Sequence, residues 1–389
     1  MKKNKKTRNK PAILPSNQRE PQSKTKQVLH ILAAVAFLYA FLVAVKSMGM
    51  SFKLFGRGFE ETLIRETTNP FIGLFVGVLA TSIVQSSSTT TAMVVAFVAS
   101  GTLTIETAVP IVMGANIGTT VTAVLVAFVH VTRRNEFEKA FAAATVQEFF
   151  KILTVMVLLP LELTTGLLRK SAAAITHLFV GSSPDLSFAG PLSFIVGPVA
   201  KSLKSTCCYL GSPWHGVLLL TVSVIVLAFS LYMLTRIMKT IAMSGAEKSL
   251  TKALNRSPLV GFLAGLIITA IIQSSSVTTS LMVPMAAAGL LSVEHVFTVT
   301  AGATVGTTVT ALLASLAGNA AGLTIAFVHL LFNVGGILLF YLFPYPRKIP
   351  VYLAKGMGRI GKRSPTAAIA FVAGLFFILP GLLIFFWNL

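Results

Sequence analysis

The feature that most constrains this chain is a polar pattern written twice inside apolar sequence. Residues 75–91 read FVGVLATSIVQSSSTTT and residues 263–279 read LAGLIITAIIQSSSVTT. A second echo follows each copy, GANIGTTVTA at 114–123 and GATVGTTVTA at 302–311. Gln85 and Gln273 lie 188 residues apart (273 − 85), as do Gly114 and Gly302 (302 − 114), so the register holds without a gap. Self-similarity at a fixed offset implies two copies of one structural unit. Polar, glycine-interrupted segments in apolar surroundings place a binding site where the two copies meet, an arrangement found in secondary transporters.

The apolar surroundings identify the solvent. The 389 residues are 54% hydrophobic and only 11% charged, with mean hydropathy +0.81, a balance that implies a polytopic membrane protein. The formal charge of +20 does not indicate nucleic acid, because no stacking aromatics interleave with the basic residues. It is concentrated in residues 1–26, where nine Lys and Arg face a single acid, Glu20. This reads as a disordered basic arm on the cytoplasmic side, next to anionic lipid. Residues 27–48 are apolar for too long to be a signal-peptide core and read as a retained span. Cys207 and Cys208 are the only cysteines. Chain neighbours rarely form a disulfide, and two thiols make no transition-metal site.

Further spans are expected at 104–129, 138–160, 214–238, 295–316, 322–343 and 366–388. The segments flanking each QSSS, at 70–84 and 89–100 and again at 258–272 and 277–288, are too short to cross a hydrocarbon core about 30 Å thick at about 1.5 Å per residue. They suit re-entrant hairpins, 70–100 and 258–288, with QSSS at the tips. Paired glycines at 114 and 118, and at 302 and 306, predict two broken helices. The expected fold is an all-α polytopic membrane protein of two repeats, 27–160 and 214–343. A connector (161–213) joins them, and an amphipathic segment (344–365) and a final span (366–388) follow. Three crossings per repeat invert the second copy relative to the first. Arg133, Arg134, Arg236, Lys239, Lys248, Lys252, Arg256 and the basic residues of 347–363 then lie inside, as the positive-inside rule requires.

An uncharged amide and three hydroxyls at each tip suit a small oxyanion. Gln85, Ser86, Ser87, Ser88 and Gln273, Ser274, Ser275, Ser276 are the candidate anion-binding residues. Helices restarting at Thr89, Thr119, Val277 and Thr307 would aim free N–H groups and positive dipole ends at it. Carbonyls of the helices that stop there, with nearby hydroxyls, are hard ligands for Na⁺.

The QSSS pair and the GANIGTT-type segments resemble the type II sodium–phosphate cotransporter family. Stretches 135–162 and 326–344 are also similar to it, and the likeness covers roughly residues 60–365. It implies Na⁺-driven uptake of inorganic phosphate by alternating access in the plasma membrane, with Na⁺ as coupling ion and no cofactor. By motif position it implies cation sites drawn from Thr89, Thr90, Asn116, Thr119, Thr120, Thr278, Thr279, Thr304, Thr307 and Thr308. The chain departs from the family pattern at Thr304, where Asn is usual, and at Gln147 and Lys151, where His and Asn are usual; His329 and Asn333 keep that pattern in the second copy. Lys151 is a charge within an apolar span, a functional position by default. Its ammonium either takes a place that Na⁺ fills in relatives or pairs with Glu148 at i, i+3 near the interface. Glu106 and Glu294 follow Thr104 and Ser292 at helix starts and read as first-turn acids meeting the dipole. Symport of another small oxyanion and an anion channel are the competing functions. No Ser/His/Asp constellation supports an enzyme.

Overall fold

The computed structural model describes residues 24–55, 69–180, 192–209, 214–242 and 257–387. The basic arm up to residue 23, part of the connector, and Lys248, Lys252 and Arg256 lie outside these residues. All regular structure among the described residues is helical, as expected where hydrocarbon leaves backbone groups no partner but one another.

Helix α1 (Lys24–Phe55) leads into a helical pair, α2 (Pro70–Val84) and α3 (Ser87–Ser100). Next come α4 (Ile105–Ile117), a 3₁₀ turn (Gly118–Thr120) and α5 (Val121–Phe128), and then the long α6 (Arg134–Thr165). The connector contributes α7 (Leu167–Val180) and α8 (Ser193–Cys207). The second copy repeats the order with α9 (Trp214–Ala242), the pair α10 (Pro258–Ile272) and α11 (Ser275–Ala287), α12 (Val293–Ser315) and α13 (Ala320–Phe340). Last are α14 (Pro344–Arg363), α15 (Pro365–Ala373), a π turn (Gly374–Ile378) and α16 (Leu379–Trp387). Seven stretches are long and apolar enough to cross a membrane: 25–51, 105–128, 134–165, 214–241, 293–315, 320–340 and 365–387. They coincide with the seven expected spans, whereas α2, α3 and α10 are apolar but short.

The local reasons for these boundaries repeat at the 188-residue offset. Asn69 and Ser257 cap α2 and α10, each followed by proline at the first helical position. Thr104 and Ser292 cap α4 and α12, accepting from the amides of Thr107 and His295. Glu106 and Glu294 stand in those first turns. They are also ion-paired, Glu106 with Arg169 at 2.5 Å and Glu294 with Lys355 at 2.6 Å.

Packing decides what the paired glycines do. A Cβ on Gly114 would lie 1.9 Å from the carbonyl oxygen of Leu74, and one on Gly302 would lie 1.9 Å from that of Phe262. From the other side, Cβ atoms on Gly77 and Gly265 would meet the oxygens of Ile111 and Val299 at 2.1 and 2.0 Å. The glycines therefore let α2 cross α4, and α10 cross α12, at backbone contact. This corrects the expected broken helix of the second copy. α12 runs without interruption through Gly302 and Gly306, and in the first copy the break shrinks to one 3₁₀ turn with right-handed dihedrals at Gly118. A glycine's helix cost of about 1 kcal/mol relative to alanine is outweighed by the packing it permits. The expected helix starts move as well. The helices after the tips begin at Ser87 and Ser275, not at Thr89 and Val277.

Candidate functional site

Each QSSS folds in the same way. Gln85 and Gln273 end α2 and α10 in the left-handed region, with φ of 58° and 62°, and they are the only described non-glycine residues at positive φ. Their amides donate to the Thr81 and Thr269 carbonyls at 2.7 Å. Ser86 and Ser274 are extended, both with φ of −151°, and start the next helix. Each tip is thus two residues, with the second and third serines already in the first turn of α3 or α11.

The glutamine side chains are held by bonds that also repeat. Nε2 of Gln85 donates to the Ser82 carbonyl, and Nε2 of Gln273 to that of Ala270. Oε1 of Gln85 accepts from Thr122 at 3.0 Å, and Oε1 of Gln273 accepts from Thr310 at 2.7 Å. Both threonines lie in the second echo, GTTVTA, so the two repeated motifs lock together side chain to side chain. Thr122 and Thr310 were missed as site residues, although the repeat contained them.

The two tips meet. The Ser88 hydroxyl donates to the Gln273 carbonyl at 3.3 Å and lies 3.4 Å from the Thr310 hydroxyl. Serines at 87, 88 and 275 are buried. The halves are unequal, however. Gln85 is exposed while Gln273 is only 6% exposed. Ser86 accepts from the Thr89 amide and hydroxyl, whereas Ser274 makes no capping bond. Ser274 and Ser276 are half-buried.

The expected cation ligands divide into two groups. Thr89 and Thr90 bond back to Ser86, and Thr304, Thr307 and Thr308 donate to carbonyls of their own helix. Thr278 bonds Thr269 at 2.8 Å. Donation leaves each hydroxyl oxygen able to accept or coordinate. The second group joins helices. Asn116, whose Nδ2 donates to Val112, presents Oδ1 to His329 Nε2 at 3.3 Å. Thr279 donates to Gln147 Oε1 at 2.9 Å, linking α11 to α6. Thr119 bonds carbonyls of Ala115 and Asn116, while the buried Thr120 hydroxyl lies beside the Glu148 carboxyl. Asn333 donates to the His329 carbonyl.

Glu148 and Lys151 depart from the pairing reading. Both are fully enclosed, at 0% and 2% exposure, and the Glu148 carboxyl is reached only by the Thr120 hydroxyl. No direct ion pair joins them, and the position is in the packed interior, not at the interface. Polar groups of α4, α6, α11 and α13 surround this point, and their helical framework sets the spacing.

The fold and the two joined tips define an all-helical, multi-pass membrane protein with a duplicated neutral polar site at its centre. The chain belongs to the Na⁺/Pi-cotransporter family, whose model matches residues 40–181 and 226–357. Sodium-dependent phosphate transport protein 2B of Homo sapiens is 31% identical over 446 residues, covering 90% of this chain and 64% of the relative. The 2B protein of Pongo abelii gives the same identity and coverage. Protein 2A of Mus musculus is 31% identical over 439 residues, covering 94% of this chain and 69% of the relative. This chain thus spans 64% of the length of the 2B relatives. No solved structure matches it. The family is one of transporters, not enzymes.

Proposed function

We propose that this protein is a sodium-coupled symporter of inorganic phosphate that works by alternating access in the plasma membrane. The observation that carries this reading is the meeting of the two QSSS tips, Ser88 to Gln273 at 3.3 Å, in a chain of the Na⁺/Pi-cotransporter family. Gln85, Ser86, Ser87, Ser88, Gln273, Ser274, Ser275 and Ser276 bind phosphate. The first turns of α3 and α11 begin at these serines, so their free amides and positive dipole ends add to the hydroxyls. Hydroxyl and amide oxygens of Thr89, Thr90, Asn116, Thr119, Thr120, Thr278, Thr279, Thr304, Thr307 and Thr308 coordinate Na⁺. An anion beside its coupling cations lowers the desolvation cost of each.

The two copies are inverted repeats with re-entrant hairpins. Helix length supports the hairpins: α2, α3 and α10 have 15, 14 and 15 residues, about 22 Å at 1.5 Å per residue, short of a core about 30 Å thick. Three spans precede the connector and three follow it before the last, and an odd number inverts the second set. The basic residues Arg133, Arg134, Arg236, Lys239 and those of α14 then share the cytoplasmic side with the N-terminus. Unequal access to the tips, open at Gln85 and closed at Gln273, supports alternating access.

Uptake of ³²P-phosphate into proteoliposomes, with and without a Na⁺ gradient, tests the reading. Ser87→Ala and Ser275→Ala should each lower Na⁺-dependent uptake at least tenfold, a loss of about 1.4 kcal/mol or more. Full Na⁺-coupled uptake by both variants would refute the site. Stronger competition by sulfate than by unlabelled phosphate would replace phosphate with another oxyanion, and unsaturable flux without Na⁺ would favour a channel.

A further inference from the structure

Glu148 and Lys151 stand one turn apart on α6, in the packed centre of the molecule. Both Glu148 oxygens are buried, neither is bonded to Lys151, and the Thr120 hydroxyl is the one side chain that reaches the carboxyl. Two further buried atoms lack partners, Gln147 Nε2 and His329 Nδ1. Lys151 lies within electrostatic reach of both Glu148 and His329. His329 joins Asn116 through Nε2, and Gln147 joins Thr279 beside the second tip. These buried groups are therefore linked by side-chain hydrogen bonds to residues of the proposed transport site. The acids Glu106, Glu294 and Glu138, partly exposed and not in the packed centre, are committed to the bases Arg169, Lys355 and Lys362.

A buried carboxylate met by no more than one hydroxyl requires a counter-charge, because an isolated ion loses its hydration without replacement. Lys151 supplies one positive charge at range and leaves the pair neutral. A sodium ion at Glu148 would then add an uncompensated charge beside a fixed ammonium. We propose that Lys151 is a tethered cation that stands in for one coupling Na⁺ at Glu148, so that each transport cycle carries one Na⁺ fewer than the oxygen ligands alone would accept. The inference rests on the reading of the protein as a Na⁺-coupled phosphate symporter.

The test is the ratio of ²²Na⁺ to ³²P-phosphate moved in proteoliposomes. Lys151→Gln leaves Glu148 uncompensated and should raise the ratio by one Na⁺, with a steeper Na⁺ dependence. Lys151→Arg keeps the charge and should keep the wild-type ratio. The double variant Glu148→Gln, Lys151→Gln removes both charges and should also return the wild-type ratio, whatever its rate. Should Lys151→Gln fail to fold, Lys151→Met, a neutral side chain of similar length, should show the same rise of one Na⁺. A Lys151→Gln ratio equal to wild type would overturn the inference, as would one Na⁺ fewer in the double variant, which would mean that Glu148 already holds a transported ion. Absence of Na⁺-dependent uptake by the wild type would defeat the functional reading itself, a result distinct from either.

Discussion

At Gln85 and Gln273 the backbone sits in a region that costs a non-glycine residue roughly 1–2 kcal/mol. Glycine would relieve that cost, so the side chain must be worth more than the strain, and strain kept at a fixed place marks function. Each glutamine spends its amide on Ser82 or Ala270 and its carbonyl oxygen on Thr122 or Thr310. Gln273→Gly and Gln273→Ala should therefore differ in stability but not in transport. Both should lose Na⁺-dependent phosphate uptake. The glycine variant should be more stable than the alanine variant by about 1 kcal/mol, read as a higher midpoint in thermal unfolding in detergent. Equal midpoints would show that the left-handed backbone carries no strain. The QSSS residues were legible in the sequence because they repeat. The reason for glutamine was not, since it depends on a dihedral angle and on threonines 37 positions away. Glu148 was visible only as a neighbour of Lys151, because burial is a property of four packed helices.

The helices follow the same division. The number and approximate ends of the spans were legible from apolar length, and capping residues such as Asn69, Thr104, Ser257 and Ser292 mark helix starts, whereas the connector helices α7 and α8 were not foreseen. Glycines were legible as exceptions but ambiguous in meaning. The same residue weakens a helix and lets another helix approach it, and only the neighbour decides which effect wins. Gly302 faces the Phe262 carbonyl, with no flexible side chain to yield. Gly302→Ala must push α12 from α10 and should cost at least the ~1–3 kcal/mol of ordinary overpacking. It should also lower uptake, because α10 carries Gln273 and α12 carries Thr310. Gly381, with nothing near its would-be Cβ, is the control, and Gly381→Ala should leave both the unfolding midpoint and uptake within error of wild type. A tolerated Gly302→Ala would show that α10 and α12 are not held at backbone contact there.

For the whole molecule, the proposed inversion sends corresponding ends of the two copies to opposite sides of the membrane. The Glu106–Arg169 pair binds α4 to the connector helix α7, while the Glu294–Lys355 pair binds α12 to the basic α14. The first should face outward and the second the cytoplasm. Under that topology the native cysteines would report on the outer side, because α8 belongs to the same connector and ends at Cys207. Cys208 is exposed and Cys207 is buried. Burial, and then the adjacent Cys208, raise the Cys207 thiol above its ordinary pKa, so its reactive thiolate fraction at neutral pH is smaller. In right-side-out vesicles an impermeant maleimide should label Cys208 from outside within the time that leaves Cys207 unmodified. Labelling of Cys207 in Cys208→Ser should be slow at pH 7 and accelerate as pH rises, since a raised pKa moves thiolate formation to higher pH. A single cysteine at Lys355, in a Cys207→Ser, Cys208→Ser background, should react only after the vesicles are permeabilised. Labelling of both sites from one side would leave the repeats parallel, and the two tips could not then serve as alternately opened faces of one site.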